Sequence, residues 1–107
     1  VNFESGKATI TQDSYISLMK VVDIMETFSE ATFEIVGHTD NVGDKEKNMQ
    51  LSADRAAAVK NFLVEKGIAE SRMVTSGKGD SKPVASNKTP EGRAQNRRIE
   101  FTRTDIK

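Results

Sequence analysis

A two-layer α/β sandwich is the fold class that the hydrophobic pattern predicts, and three stretches of the chain carry that reading. Leu18, Val21, Val22, Met25 and Phe28 recur at three- and four-residue intervals, the spacing of one apolar helix face. Thr32 to Asp40 alternates instead, with Phe33, Ile35, Gly37 and Thr39 on one side and Glu34, Val36, His38 and Asp40 on the other, the period of a strand. Arg98 to Thr102 alternates in the same way near the end of the chain. Helical and strand periods that take turns along 107 residues fit one domain, residues 1–107, with helices laid on a sheet around one core.

Val1-Asn2-Phe3 reads as the end of a short first strand, closed by the turn formers Ser5 and Gly6. Thr11 to Ser14 supply start chemistry for the first helix. After the second strand, Asn41 to Leu51 is polar with one glycine and reads as a loop. Ser52 is the expected N-cap of the second main helix, Asp54 suits its positive end, and Ala56, Val59, Phe62 and Leu63 give its apolar face before Gly67 stops it. Met73 to Lys78 is a weaker third strand. A polar loop from Gly79 to Asn87 follows, and Thr89-Pro90-Glu91 opens a short helix by cap and first-position proline. The expected order is strand, helix, strand, helix, strand, short helix, strand, without internal repeats.

Composition narrows the function classes. Lys plus Arg equals Asp plus Glu at 16 each, which removes the usual electrostatic reason to expect nucleic acid or an anionic membrane as partner. There are no cysteines, so disulfides and thiolate metal sites are excluded. No apolar stretch is long enough to cross a bilayer.

The residues with chemical promise are Asp40, ending a strand, and Arg55, expected in the first turn of the next helix. An Asp after a strand is ordinarily a loop residue, and an Arg on a helix ordinarily faces solvent. Two arguments favour a site. Open α/β sheets bind ligands at the carboxyl ends of their strands, and Arg55 stands where a capping box after Ser52 asks for Glu or Gln. A cation in a first turn opposes the helix dipole by about 0.3 to 1 kcal/mol, and such a local violation marks a candidate functional residue. A carboxylate and a guanidinium that meet across a strand, loop and helix can hold a zwitterion, the one taking an ammonium and the other a carboxylate through two parallel hydrogen bonds.

His38 beside Asp40 invites an enzymatic reading, but no nucleophile motif completes a triad. His38, Asp40, Asp44 and Glu46 lack the second histidine or the EF-hand spacing of a metal site. We therefore expect no metal, no cofactor and no catalysis, with His38 a polar support of the pocket able to respond to pH. Lys88, Arg93, Arg97 and Arg98 form the only basic cluster and lack the aromatic stacking partners of RNA binders. Gly77-Lys78-Gly79 lacks phosphate-loop spacing and reads as a turn.

Taken together, Phe3, the run Gly37-His38-Thr39-Asp40, the run Asn48-Met49-Gln50-Leu51-Ser52-Ala53-Asp54-Arg55-Ala56, the Gly77-Lys78-Gly79 turn with Pro83 and the closing Asn96-Arg97-Arg98-Ile99-Glu100 resemble the OmpA-like peptidoglycan-binding domain over nearly the whole chain. The resemblance implies a mixed four-stranded sheet in spatial order one, four, two, three, the last strand antiparallel and both main helices on one face. It implies a non-covalent grip on meso-diaminopimelate in the peptidoglycan stem peptide. Asp40 would hold its ammonium and Arg55 its carboxylate, with hydrogen bonds from Asn48, Leu51 and Ser52, Phe3 on the pocket floor, and Arg98 able to reach the ligand carboxylate.

It further implies a periplasmic domain that anchors an outer-membrane protein or lipoprotein to the wall, with the membrane-attached part lying outside this chain, which is expected to be a fragment. The alternative context is the wall-binding domain of a MotB-type flagellar stator at the inner membrane. A general anion or nucleic-acid binder built on the Arg93 to Arg98 cluster is the reading from a different class.

Overall fold

The computed structural model describes residues 1–106. It contains α1 (Ser14–Thr27), β1 (Phe33–His38), α2 (Lys45–Glu65), a single 3-10 turn (Glu70–Arg72), β2 (Met73–Gly77), α3 (Pro90–Asn96) and β3 (Arg98–Arg103). The sheet has three strands in the order β2-β1-β3, with β1 parallel to β2 and antiparallel to β3. Leu18, Val22 and Met25 of α1 and Ala56, Val59 and Leu63 of α2 share one buried cluster with Phe33, Ile35 and Met73. Phe33 pairs with Met73 and alternates with Ile35, so both main helices cover the same face of the sheet.

The four-stranded order is corrected by this arrangement. Val1-Asn2-Phe3 does not join the sheet; its one ladder contact is an isolated antiparallel bridge between Phe3 and Ile10. The reason lies in its hydrogen bonds. Asn2 donates its N–H to Ser14 Oγ (2.6 Å) and its carbonyl accepts from the Thr11 N–H (3.0 Å), while the Glu4 N–H goes to the Thr9 carbonyl (2.9 Å). The segment thus spends its backbone groups on the approach to α1, and the relative order of the other three strands stands as the resemblance implied.

A second correction concerns α2. Its N-cap is Asp44, whose carboxylate accepts from the Glu46 N–H (2.8 Å) and the Lys47 N–H (3.1 Å), so the expected loop from Asn41 ends at Asp44 and Ser52 lies about two turns inside the helix. The apolar period begins only where α2 reaches the sheet. Its first turns project into solvent and carry none, which is why periodicity placed the start too late.

The fully buried Ser52 instead fixes where α2 crosses the strand ends. A Cβ on Gly37 would collide with the Ser52 carbonyl and one on Gly77 with the Ala53 nitrogen, so helix backbone rests directly on strand backbone there. Ser52 Oγ donates to the Met49 carbonyl (2.8 Å) and accepts from the Gly79 N–H (2.9 Å), tying the crossing to the turn after β2. At its other end α2 closes as expected, at Gly67 with φ +98°. Arg72 gives α1 its C-terminal cap from a distance, donating to the carbonyls of Met25 and Phe28 (2.8 Å each) and of Ala31 (2.9 Å).

Candidate functional site

Beyond the end of β1 the chain enters a cleft of about 720 Å³. Thr39, Asp40 and Val42 follow β1, Asn48, Leu51 and Arg55 come from α2, Ala94 and Arg97 from α3 and its end, and Val1 to Phe3 with Ser5 and Gly6 close the far side. Thr39 extends the β1–β2 ladder through its N–H to the Gly79 carbonyl (2.8 Å), and this holds Asp40 at the strand end. The close crossing at Ser52 sets the rotation of α2, and Arg55, three residues on, lines the same cleft as Asp40.

The two charges have different partners. Asp40 Oδ2 accepts from Arg97 Nη1 at 2.6 Å, and Oδ1 accepts from the Val42 N–H at 3.0 Å. Arg55, 8% exposed, donates Nε–H to the Lys7 carbonyl (2.9 Å) and Nη2–H to the Glu4 carbonyl (3.4 Å), with its guanidinium carbon 4.9 Å from the centre of the Phe3 ring. Burial, and then the charge of Arg97, lower the Arg55 pKa from its ordinary value, while Asp40 opposes the shift. A guanidinium stays charged through such a shift, so the cleft carries two fixed cations beside the Asp40 carboxylate.

Five of the sequence-predicted site residues, Asp40, Arg55, Asn48, Leu51 and Phe3, line this cleft together. Asn48 also donates to the Val42 carbonyl (2.8 Å) and so braces the loop that follows Asp40. Ser52 is outside the lining and is not a cap; it supports the site from beneath. Arg98 is outside as well. Its guanidinium donates to Glu100 (3.2 Å) and to the carbonyls of Asn96 (3.2 Å) and Lys82 (2.9 Å).

Arg97 takes the place expected of Arg98. Strand parity is the signal that finds it: Ile99 and Phe101 pack against the core, so Arg97 shares their side, whereas Arg98 shares the side of Glu100. Ser5 and Gly6 mark the N-terminal turn in the sequence, but nothing there marks its grip on Arg55.

His38 is buried at 3% exposure and is not a cleft residue; its Nε2 lies 2.8 Å from Glu100 Oε1. Burial, Arg98 and Lys78 lower its pKa, and Glu100 only partly compensates, so at neutral pH the ring is uncharged and Nε2–H donates to the carboxylate. Nδ1 is buried without a partner. Among the described residues no group of three or more His, Asp or Glu side chains could hold a metal ion, and no helix is long and apolar enough to cross a membrane.

Comparison with known proteins places this architecture. Outer membrane protein A of Bordetella avium is 45% identical over 99 residues, covering 92% of this chain and 51% of its own length. Peptidoglycan-binding protein ArfA of Mycobacterium tuberculosis is 41% identical over 101 residues, covering 94% of this chain and 31% of its own. The chain thus spans about half the length, or less, of these curated relatives. The crystal structure of the peptidoglycan-associated lipoprotein from Burkholderia pseudomallei superposes with a TM-score of 0.85 at 27% identity, covering 97% of this chain and 86% of that one. The OmpA family model matches residues 2–97, a span that includes the cleft from its N-terminal wall to Arg97, and the chain belongs to the OmpA family.

Proposed function

We propose that this domain binds peptidoglycan non-covalently, takes the meso-diaminopimelate of the stem peptide into the cleft, and so anchors an outer-membrane protein or lipoprotein to the cell wall from the periplasmic side. Asp40 takes the side-chain ammonium and Arg55 the carboxylate. Asn48, Leu51 and Phe3 wall the site, and Arg97 adds a second cation beside Asp40.

The observation that carries this reading is the presence of one carboxylate and one buried guanidinium on the walls of a single cleft. Two more facts support it. Asp40 spends one interaction on each oxygen, and a carboxylate offers about four acceptor sites, so an ammonium can join without displacing either partner. Relatives whose names state peptidoglycan binding or association match more than nine-tenths of this chain, one in sequence and one in fold. The domain performs no chemistry on its ligand in this reading; the chain's one histidine is engaged with Glu100 outside the cleft.

Calorimetric titration with a diaminopimelate stem peptide and with its lysine counterpart tests the assignment. Lysine lacks the carboxylate, and loss of a charge-assisted hydrogen bond of about 1.5 to 3 kcal/mol should weaken it at least about tenfold. Equal affinities would refute the site. In parallel, long incubation with purified peptidoglycan should release no new fragments, and cleavage would overturn the non-enzymatic part.

A further inference from the structure

Arg55 reaches the cleft already half used, and which half is used matters for what it can bind. A guanidinium has five N–H donors and can meet a carboxylate along its side, through Nε and Nη2, or at its end, through Nη1 and Nη2. Here the side is occupied by protein: Nε–H donates to the Lys7 carbonyl at 2.9 Å and Nη2 to the Glu4 carbonyl at 3.4 Å. Both carbonyls belong to one tight turn, closed by the Lys7 N–H on the Glu4 carbonyl (3.0 Å) and passing through Gly6 at φ +68°. The turn is pinned in turn by the Phe3–Ile10 bridge and the Glu4 N–H to the Thr9 carbonyl (2.9 Å), and the Phe3 ring stacks under the guanidinium.

We propose that the Glu4–Lys7 turn is a specificity-setting strap, which takes up the Nε side of Arg55 and leaves only the Nη1/Nη2 end to receive a ligand carboxylate. The inference rests on the reading of Arg55 as the carboxylate-binding residue. It makes Phe3 and Gly6 positioning residues that act on selectivity through Arg55. It also fixes the direction from which the ligand carboxylate arrives, in line with the side chain and away from the N-terminal turn.

Gly6 offers the means to test it. An added Cβ there meets no atom within 4 Å, so a substitution acts on the turn's backbone and not through a clash within the protein. Asn tolerates positive φ and Val does not. The Arg55 Nε–H should appear in the NMR spectrum of the free domain as a resolved, slowly exchanging signal and persist when a diaminopimelate stem is added. Gly6→Val should abolish that protection and lower the diaminopimelate-to-lysine affinity ratio about tenfold, while Gly6→Asn, which keeps the turn, should keep both the protection and the ratio.

Val merely filling the cleft would weaken both stems equally, and that result would overturn the proposal. Should Gly6→Val fail to fold, Phe3→Leu, which removes the ring and keeps apolar packing, must lower the diaminopimelate-to-lysine affinity ratio; an unchanged ratio refutes the strap. A free domain whose Arg55 Nε–H exchanges like that of an unstructured arginine refutes it outright. If the unmodified domain binds neither stem, the proposed ligand falls, and the exchange measurement still decides whether the turn holds Arg55.

Discussion

Arg97 donates to Asp40 across 2.6 Å, so the carboxylate at the strand end is already neutralised within the chain when a ligand arrives. The Arg97 side chain is 46% exposed and that of Asp40 12%, so the pair is open to water on the Arg97 side and its contribution to stability is modest. Its effect is on selectivity. Arg97 lowers the attraction of Asp40 for any ammonium and adds a cation for any ligand carboxylate.

Arg97→Gln should therefore leave the melting temperature nearly unchanged, strengthen binding of a lysine stem and weaken that of a diaminopimelate stem, each by a few-fold. Calorimetry on both peptides checks it, and parallel changes for the two would show that Arg97 does not discriminate. Asp40→Ala, by contrast, should abolish pull-down with sacculi in a folded domain, because it strands the ligand ammonium at a cost of about 2 to 5 kcal/mol.

Ser52 contributes through burial. Ser52→Ala removes the acceptor for the Gly79 N–H and leaves that group unsatisfied inside the protein, a loss of about 1 to 3 kcal/mol by chemical denaturation. Gly37→Ala should cost at least as much, since the new methyl meets the Ser52 backbone, which has no rotamer by which to yield. Where Ser52→Ala remains folded, its stem affinity should match the parent domain, for Ser52 is outside the cleft; a large binding defect without a stability defect would contradict this placement.

Legibility followed burial. The three strands of the sheet and the short helix capped by Thr89 could be read because each is tied to a period of two or to a turn residue, and the order of strand and helix put Asp40 and Arg55 at the mouth of one cleft. The start of α2 could not, since Lys45 to Gln50 is mostly exposed, has no apolar face and includes Asn48, a poor helix former; Asp44 was the remaining signal, overshadowed by Ser52. The cap on α1 from Arg72 and the carbonyl grip on Arg55 are contacts between stretches far apart in sequence, made to backbone atoms that every residue possesses. No residue type announces such a contact. The unexpected start of α2 also changes the account of Arg55: its unusual position reflects burial at a cleft and not opposition to a helix dipole.

Acid should loosen the sheet through His38 and Glu100. The folded state lowers the pKa of His38 below its ordinary 6.5, chiefly by burial, so the unfolded chain binds more protons below that pH. This contribution is complete above about pH 6.5 and is lost as pH falls through the folded value. Glu100, also lowered, adds a second loss below its ordinary 4.5, carried by its contacts with Arg98 and His38 against an opposing effect of burial. Denaturation midpoints should fall on acidification from pH 7 to 5, and His38→Gln, which keeps a donor for Glu100, should flatten that slope. An unchanged slope in the variant would remove His38 as the cause.

Arg55→Lys is the most demanding change, because charge is kept and only geometry is lost. A lysine ammonium could still attract the ligand carboxylate, but it is a point charge that cannot present two parallel donors, nor donate to the Lys7 and Glu4 carbonyls while facing the ligand. The Lys7 carbonyl would then face the cleft unpaired, the Glu4 carbonyl would keep only the Lys7 N–H of its own turn, and the Phe3 ring would lose a planar partner. The variant should fold with a stability loss of about 1 to 3 kcal/mol from the abandoned Lys7 carbonyl. Its diaminopimelate affinity should fall by at least about tenfold, and its preference over lysine should shrink toward unity. Arg55→Ala must do the same to the preference, since both variants lack the fork. Calorimetry on the two stems with both proteins separates the possibilities: a lysine variant that keeps the full preference would mean that charge alone selects the ligand, and that the orientation of Arg55 is irrelevant to recognition.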